Sequence, residues 1–268
     1  MKEKGRIRRM ISLGMQQLSD PYYQGMAPQI AFYFLLSLVP MAILISQLFG
    51  MIMGTSINEA VGWIFDDAKG DVAKAIKSMF TFKSGGFSNL VYIVIAIWGA
   101  SRAQFSMMRI NNYINTEGWS TGKGYFHERI RSMGNILLTM VAITAALVFM
   151  SYGGKVIELL TDNPNLWLYL RWPIALLMFF MIISVYYYAL PEKKVRIREI
   201  IPGSIFASVG LLAVTFVYSI YTSSIANYDI IYGSLATVVA LMFWFFFLAW
   251  VFCLGMIFNK VWKDTKKK

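Results

Sequence analysis

Few side chains in this sequence could do chemistry, and the conspicuous ones lie where polar groups are expensive. Arg102 stands in VYIVIAIWGASRAQF, about two-thirds of the way along an apolar run. A guanidinium that deep in hydrocarbon is costly unless it pairs, snorkels or faces water. No acid falls within the cores of the apolar runs, which leaves carbonyls, water, a phosphate head or an acid near an edge as partners. Arginine forks match phosphate oxygens, so Arg102 is a candidate headgroup-binding residue, with snorkelling as the plainer alternative. In AFYFLLSLVP, Pro40 deletes a backbone donor, frees the carbonyl of Leu36 and bends the helix. Ser37 is close enough to help satisfy the freed group, as a hydroxyl must in lipid. Tyr33 and Gln29 precede Ser37 by one and two turns on much the same face. A static kink and the wall of a pathway both fit that pattern. In NYDIIYGSLATVV, Asn227 and Asp229 cap a short outer turn, and Tyr232, Gly233 and Ser234 start a helix. Its free N–H groups face any anion, and Gly233 permits close backbone approach. A capped helix after a turn explains the same residues.

Hydrolytic chemistry finds little support. Phosphodiester cleavage uses a carboxylate cluster holding metals, or positioned His and Lys groups. The single histidine, His127, stands beside Glu128 in an expected cytoplasmic loop, and the single cysteine, Cys253, lies in an apolar run. Neither a metal set nor a disulfide can be built from them. Phosphate loops, nucleic-acid-binding motifs and Gly-x-Ser-x-Gly elbows are absent from the sequence. The reading is therefore no enzyme activity, no cofactor, no metal and no nucleic-acid partner.

The elements that must position these residues are membrane helices. Of the 268 residues, 57% are hydrophobic and 15% charged. Several apolar runs exceed the ~18 residues that a transmembrane helix needs. The expected fold is all-α, a polytopic bundle of about six spans near 28–53, 88–112, 133–152, 166–190, 201–224 and 232–258. Residues 1–27 form an expected cytoplasmic segment, 28–259 the membrane bundle and 260–268 a basic tail. The opening MKEKGRIRRM lacks a following signal-type apolar core and is expected to be retained. Segments 1–20, 103–131, 191–199 and 260–268 carry 18 of the 25 Lys and Arg. Under the positive-inside rule this bias places both termini in the cytoplasm. The net charge of +11 thus reads mostly as topology plus attraction to anionic lipid, which the tail KVWKDTKKK is expected to bind.

Other features fill in the bundle. Trp167, Tyr169 and Trp172 gather at an outer edge, and Arg171 can snorkel there. Segment 54–87 alternates apolar and charged residues at three- and four-residue spacing, which predicts an amphipathic outer helix, either a cap or a lid. Gly203, Ala207 and Gly210, with Ser204 and Ser208 beside them, predict close helix packing, and a moving interface would use the same residues.

Three segments together carry a family resemblance: AFYFLLSLVP, YYALPEKKVRIREIIPGSIFA and NYDIIYGSLATVVALMFWFFFLAWVFCLGMIFN. Ala31-Phe32-Tyr33, Ser37, Pro40, Pro191, Pro202-Gly203 and Tyr232-Gly233-Ser234 make the sequence similar to the YihY/BrkB family of six-helix bacterial inner-membrane proteins. The resemblance implies a plasma-membrane protein, in a family whose members have carried virulence-factor and ribonuclease labels. It points loosely to the handling of envelope lipids or lipid-linked precursors. Members commonly end the last span with Leu-Gly-Ala-Glu-x-Asn. Here Gly255 and Asn259 are kept, but Ile257 occupies the acidic position. The candidate substrate-binding set is Gln29, Tyr33, Ser37, Pro40, Arg102, Tyr232, Gly233, Ser234 and Asn259. Two functions fit: a transporter or scramblase acting on membrane lipids, and a scaffold for envelope-assembly proteins. A channel fits less well, because no charge ring or filter-type glycine sequence is present.

Overall fold

The computed structural model describes residues 2–53, 87–116, 124–161, 166–192, 195–224 and 234–266. Their regular structure is helical throughout: α1 (Lys2–Leu18), α2 (Pro21–Met53), α3 (Phe87–Thr116), α4 (Tyr125–Thr161), α5 (Leu166–Ala189), α6 (Ile197–Ser224) and α7 (Ser234–Lys266). The shortest of α2–α7 has 24 residues, about 36 Å at 1.5 Å per residue, against roughly 30 Å of hydrocarbon. Judged by composition as well, three described segments are apolar enough to cross a bilayer: Tyr169–Ala189, Ile197–Tyr221 and Val238–Lys266. The expected amphipathic element at 54–87 lies outside the described residues except for Phe87, as do Asn227, Asp229, Tyr232 and Gly233.

The outside of the bundle is greasy. Leu177, Phe216, Val217 and Phe243 are all more than half exposed. Water would penalise such a surface, whereas lipid tails are its natural solvent. Polar groups go inward instead: Ser101, Gln104, Ser106, Asn111 and Asn112 are buried along α3.

The six long helices close a ring of neighbours. Each packs on the next in chain order, α7 returns to α2, and the α4–α5 seam is the sparsest of the six. Tight and loose seams have visible causes. At the α6–α7 crossing, Gly203 meets the Gly255 carbonyl so closely that a Cβ would overlap it, and one at Gly210 would lie 2.6 Å from Val251. Small residues at this face let the backbones touch. The Gly203 N–H donates to Asn259 Oδ1 at 2.7 Å, and Tyr187 from α5 donates its hydroxyl to the Phe252 carbonyl at 2.7 Å. Ile257 is buried in the main core cluster, which also holds Met26, Ile30, Met108 and Leu190. An apolar residue is what that position requires here.

Helix ends extend beyond the expected spans. α4 begins at Tyr125, so His127 and Glu128 lie in its first turn and not in a loop. The reason is packing: Glu128, Arg129 and Ser132 are buried in that first stretch. α7 continues through the expected tail to Lys266, because Val261 is buried and Trp262 stacks on Phe258 at 6.3 Å. α1 is helical and packs on α7 and α2, with Arg6 4.5 Å from the Trp262 ring centre. It leaves Ile7, Ile11 and Met15 exposed at four-residue spacing, beside Arg8 and Arg9, the pattern of a helix lying in a membrane interface. Asp20 ends the turn into α2 as an N-cap, accepting the Tyr22 N–H at 2.9 Å ahead of a favourable Pro21.

Candidate functional site: an arginine cluster and a bilayer-open crevice

Among the described residues, the expected side chains do not gather at one point. Tyr33 and Arg102 meet: the Arg102 guanidinium lies 6.0 Å from the Tyr33 ring centre, at the edge of a useful cation–π distance. Arg102 is exposed on the bundle surface, and Gln29 is exposed as well. Pro40 packs one turn away from Arg102, with its Cγ 3.1 Å from where a Gly99 Cβ would stand. Ser37 is buried and donates to the Phe34 carbonyl at 3.0 Å, not to that of Leu36. Asn259 sits at the α6–α7 crossing described above. Ser234 is the first residue of α7.

Around Arg102 the structure adds partners that sequence reasoning missed. Trp98, Arg102, Phe105 and Arg109 recur at intervals of four, three and four along α3, which aligns them on one helical face. That spacing was the available signal. α4 contributes Arg129, which is 2% exposed. Its Nη2 donates to the Trp98 carbonyl at 2.6 Å, and its guanidinium lies 4.3 Å from the Trp98 ring centre and 5.6 Å from that of Phe105. Arg129 Nε and Nη1 have no hydrogen-bond partner. Burial first, and then the neighbouring Arg102 charge, hold its guanidinium below the usual arginine range. Buried Glu128 pairs with Arg109 at 3.0 Å instead, and Arg109 also faces the Phe105 ring at 5.0 Å. His127, beside Glu128 in the chain, is exposed. Among the described residues no His, Cys, Asp and Glu group has metal-site geometry.

The opposite face of α4 borders a crevice of about 450 Å³, walled by α4 and α5. The two helices touch at both ends and part between them. At one end, Trp167 fills the space that Cβ atoms on Gly153 and Gly154 would need. At the other, Arg131 donates to the carbonyls of Ala189 and Pro191, the latter at 2.7 Å. Ala142, Ala145 and Ala146 leave the middle open opposite Leu177, Met178 and Met181. The apolar wall ends in a polar knot. Gln104 Nε2 donates to Thr139 Oγ1 at 3.2 Å and to the Tyr186 hydroxyl. Thr139 donates to the Asn135 carbonyl at 2.7 Å and lies 2.6 Å from the Tyr186 hydroxyl. Gln104 Oε1 keeps no partner. The alanine cluster in an apolar helix and the lone Gln104 were the signals for this site.

Comparison with known proteins agrees with the helical membrane architecture. The ribonuclease-like protein YfkH of Bacillus subtilis (strain 168) is 27% identical over 263 residues, covering 91% of each chain. A UPF0761 membrane protein of Vibrio campbellii (strain ATCC BAA-1116) is 28% identical over 239 residues, which is 85% of this chain and 73% of the relative. No solved structure matches the chain. The family model described as Virulence factor BrkB matches residues 15–268. With nearly the whole helical bundle inside that match, the chain belongs to the Virulence factor BrkB family.

Proposed function

We propose that this chain is a non-catalytic protein of the bacterial plasma membrane that moves or scrambles lipids or lipid-linked envelope precursors. The crevice between α4 and α5 carries the reading. Its volume falls within the ~300–1,000 Å³ of ligand sites, its walls suit a hydrocarbon chain, and its polar end offers groups to a less apolar portion of the same molecule. A polar knot at membrane depth is costly where it only packs. The basic segments support an orientation with both termini in the cytoplasm, since Glu192 with Asn112, and Glu199 with Lys263, bring the α5–α6 connection beside α3 and the end of α7.

The test is reconstitution into liposomes carrying labelled phospholipid or polyprenyl phosphate. The wild-type chain accelerates exposure of the labelled headgroup, and Ala142→Phe with Ala145→Phe, which fill the crevice, abolish the gain. No acceleration across a lipid panel removes the proposal. A scaffold for envelope-assembly proteins is the second reading, favoured by the direct packing of Pro40 on Gly99 and of Gly203 on Gly255. It requires silent liposomes and stoichiometric partners that survive purification.

A further inference from the structure

Arg129 is the one fully buried cation among the described residues. Its charge is almost wholly removed from solvent, yet Nε and both protons of Nη1 meet no acceptor. A buried cation held only for packing is poorly chosen, since a hydrophobic side chain of similar volume usually serves as well or better. Neutralisation was within reach: Glu128 is its neighbour in the chain, but that carboxylate is turned to Arg109. Arg102 adds a second positive charge nearby, and no described acid pairs with it. Among the described residues the three guanidinium groups thus have one carboxylate between them, that of Glu128.

We propose that Arg102 and Arg129, with Arg109 at the rim, bind a phosphoryl oxyanion, the chemistry of a phospholipid headgroup. Such an anion supplies the acceptors that Arg129 lacks and relieves the repulsion between the two arginines. Hydrogen bonds between ionised partners are the strong ones, and guanidinium donors suit phosphate oxygens. Phe105 is the cover. Its ring faces both Arg109 and Arg129 and is packed edge-on by Tyr125 at 5.4 Å, so turning it aside joins the exposed arginines to the buried one. Phe126 and Ile130 stand highly exposed on the same stretch of α4. Apolar side chains beside a cationic mouth favour a phosphate that carries acyl chains. The site faces α3, away from the crevice, so the inference goes beyond the lipid-moving reading and does not rest on it.

The experiment is calorimetric titration of the full chain in micelles of a non-ionic detergent. The probes are a short-chain phosphatidic acid, the matching diacylglycerol without phosphate, and inorganic phosphate. Saturable phosphatidic acid binding is expected, weakened tenfold or more in Arg129→Gln and in Arg102→Gln and unchanged in Arg171→Gln. Inorganic phosphate binding as tightly, with the same losses, keeps the oxyanion site and identifies free phosphate as its source. Binding within twofold of wild type in both variants, or equal binding of the diacylglycerol, overturns the proposal. Arg102 is exposed, so its variant tests the site even where Arg129→Gln fails to fold. Ala142→Phe leaves this binding intact, which separates failure here from failure of the crevice.

Discussion

Replacing Gly203 by alanine is the sharpest test of how closely α6 and α7 approach. The added Cβ would overlap the Gly255 carbonyl oxygen and crowd the Asn259 amide. One obstacle is backbone, so relief requires α7 to shift and not merely a rotamer to change. Overpacking of that kind costs about 1–3 kcal/mol. Displacing Asn259 from the Gly203 N–H adds about 1 kcal/mol for the lost hydrogen bond. The helix-propensity gain from Gly to Ala returns about 0.5–1 kcal/mol. A net loss of about 1–3.5 kcal/mol remains. Gly134→Ala is the matched control, because its Cβ would meet nothing within 4 Å, leaving only the gain. Reversible denaturant unfolding of the purified protein in micelles reads both. Gly203→Ala within 0.5 kcal/mol of Gly134→Ala would refute the close crossing. The pair Gly203→Ala and Asn259→Ala, tested as a double-mutant cycle, must also be non-additive, since both alter one contact.

Three further outcomes are expected. Glu199 should make the basic end acid-sensitive: burial alone raises its carboxyl, but Lys263 at 2.7 Å, with the Arg196 backbone and charge, brings it net below the usual glutamate range. A depressed folded-state pKa contributes stability above the unfolded value and loses it as pH falls through the folded one. Melting temperature should therefore hold from neutrality to about pH 5 and fall below about pH 4.3, the ordinary glutamate range, with a smaller fall in Glu199→Gln. Arg131→Ala should cost about 1–3 kcal/mol by withdrawing a charged donor from the last carbonyls of α5, and a melting temperature equal to wild type contradicts that capping role. Gly153→Ala places a Cβ 2.6 Å from the Trp167 ring and pries apart the far end of the α4–α5 seam, so it should raise lipid exposure in liposomes while lowering the melting temperature. Unchanged values for both would remove Trp167 as the clasp.

Much of the bundle was legible because lipid imposes a simple rule: apolar runs of sufficient length become helices. Gly203, Ala207 and Gly210 announced close packing by size alone, whereas their partners Gly255 and Asn259 had been legible only as part of the family pattern. Arg102 was legible as an oddity, and its proximity to Tyr33 follows from adjacent helices. Arg129 was hidden because it precedes the apolar run of α4 and reads as ordinary loop charge. Only tertiary packing shows that α4 begins four residues earlier and buries it. The crevice was hidden for a related reason. Ala142, Ala145 and Ala146 predict close approach as readily as empty space, and which one results depends on what holds the helix ends.

The structure makes α4 the shared wall of two different surfaces. Ser132, Ile136 and Met140 are buried and follow Arg129 at helical spacing, facing α3, where Ala96 and Ala100 share a core cluster with Ile136 and Met140. Asn135, Ala142 and Ala146 face α5 and the crevice. Contact with α3 is continuous, whereas contact with α5 is concentrated at Trp167, the polar knot and Arg131. Strain on the bundle will therefore separate α5 from α4 before it separates α4 from α3. This ordering predicts that the arginine cluster keeps its place when the crevice widens. The arginine cluster and the crevice lining share no residue, and α4 contributes to both. A ligand at one surface biases the other only where it binds the open and closed seam differently. With the cluster fixed, short-chain phosphatidic acid affinity is expected to be the same in Gly153→Ala as in wild type, and a threefold or larger change would refute the rigidity of the α3–α4 seam.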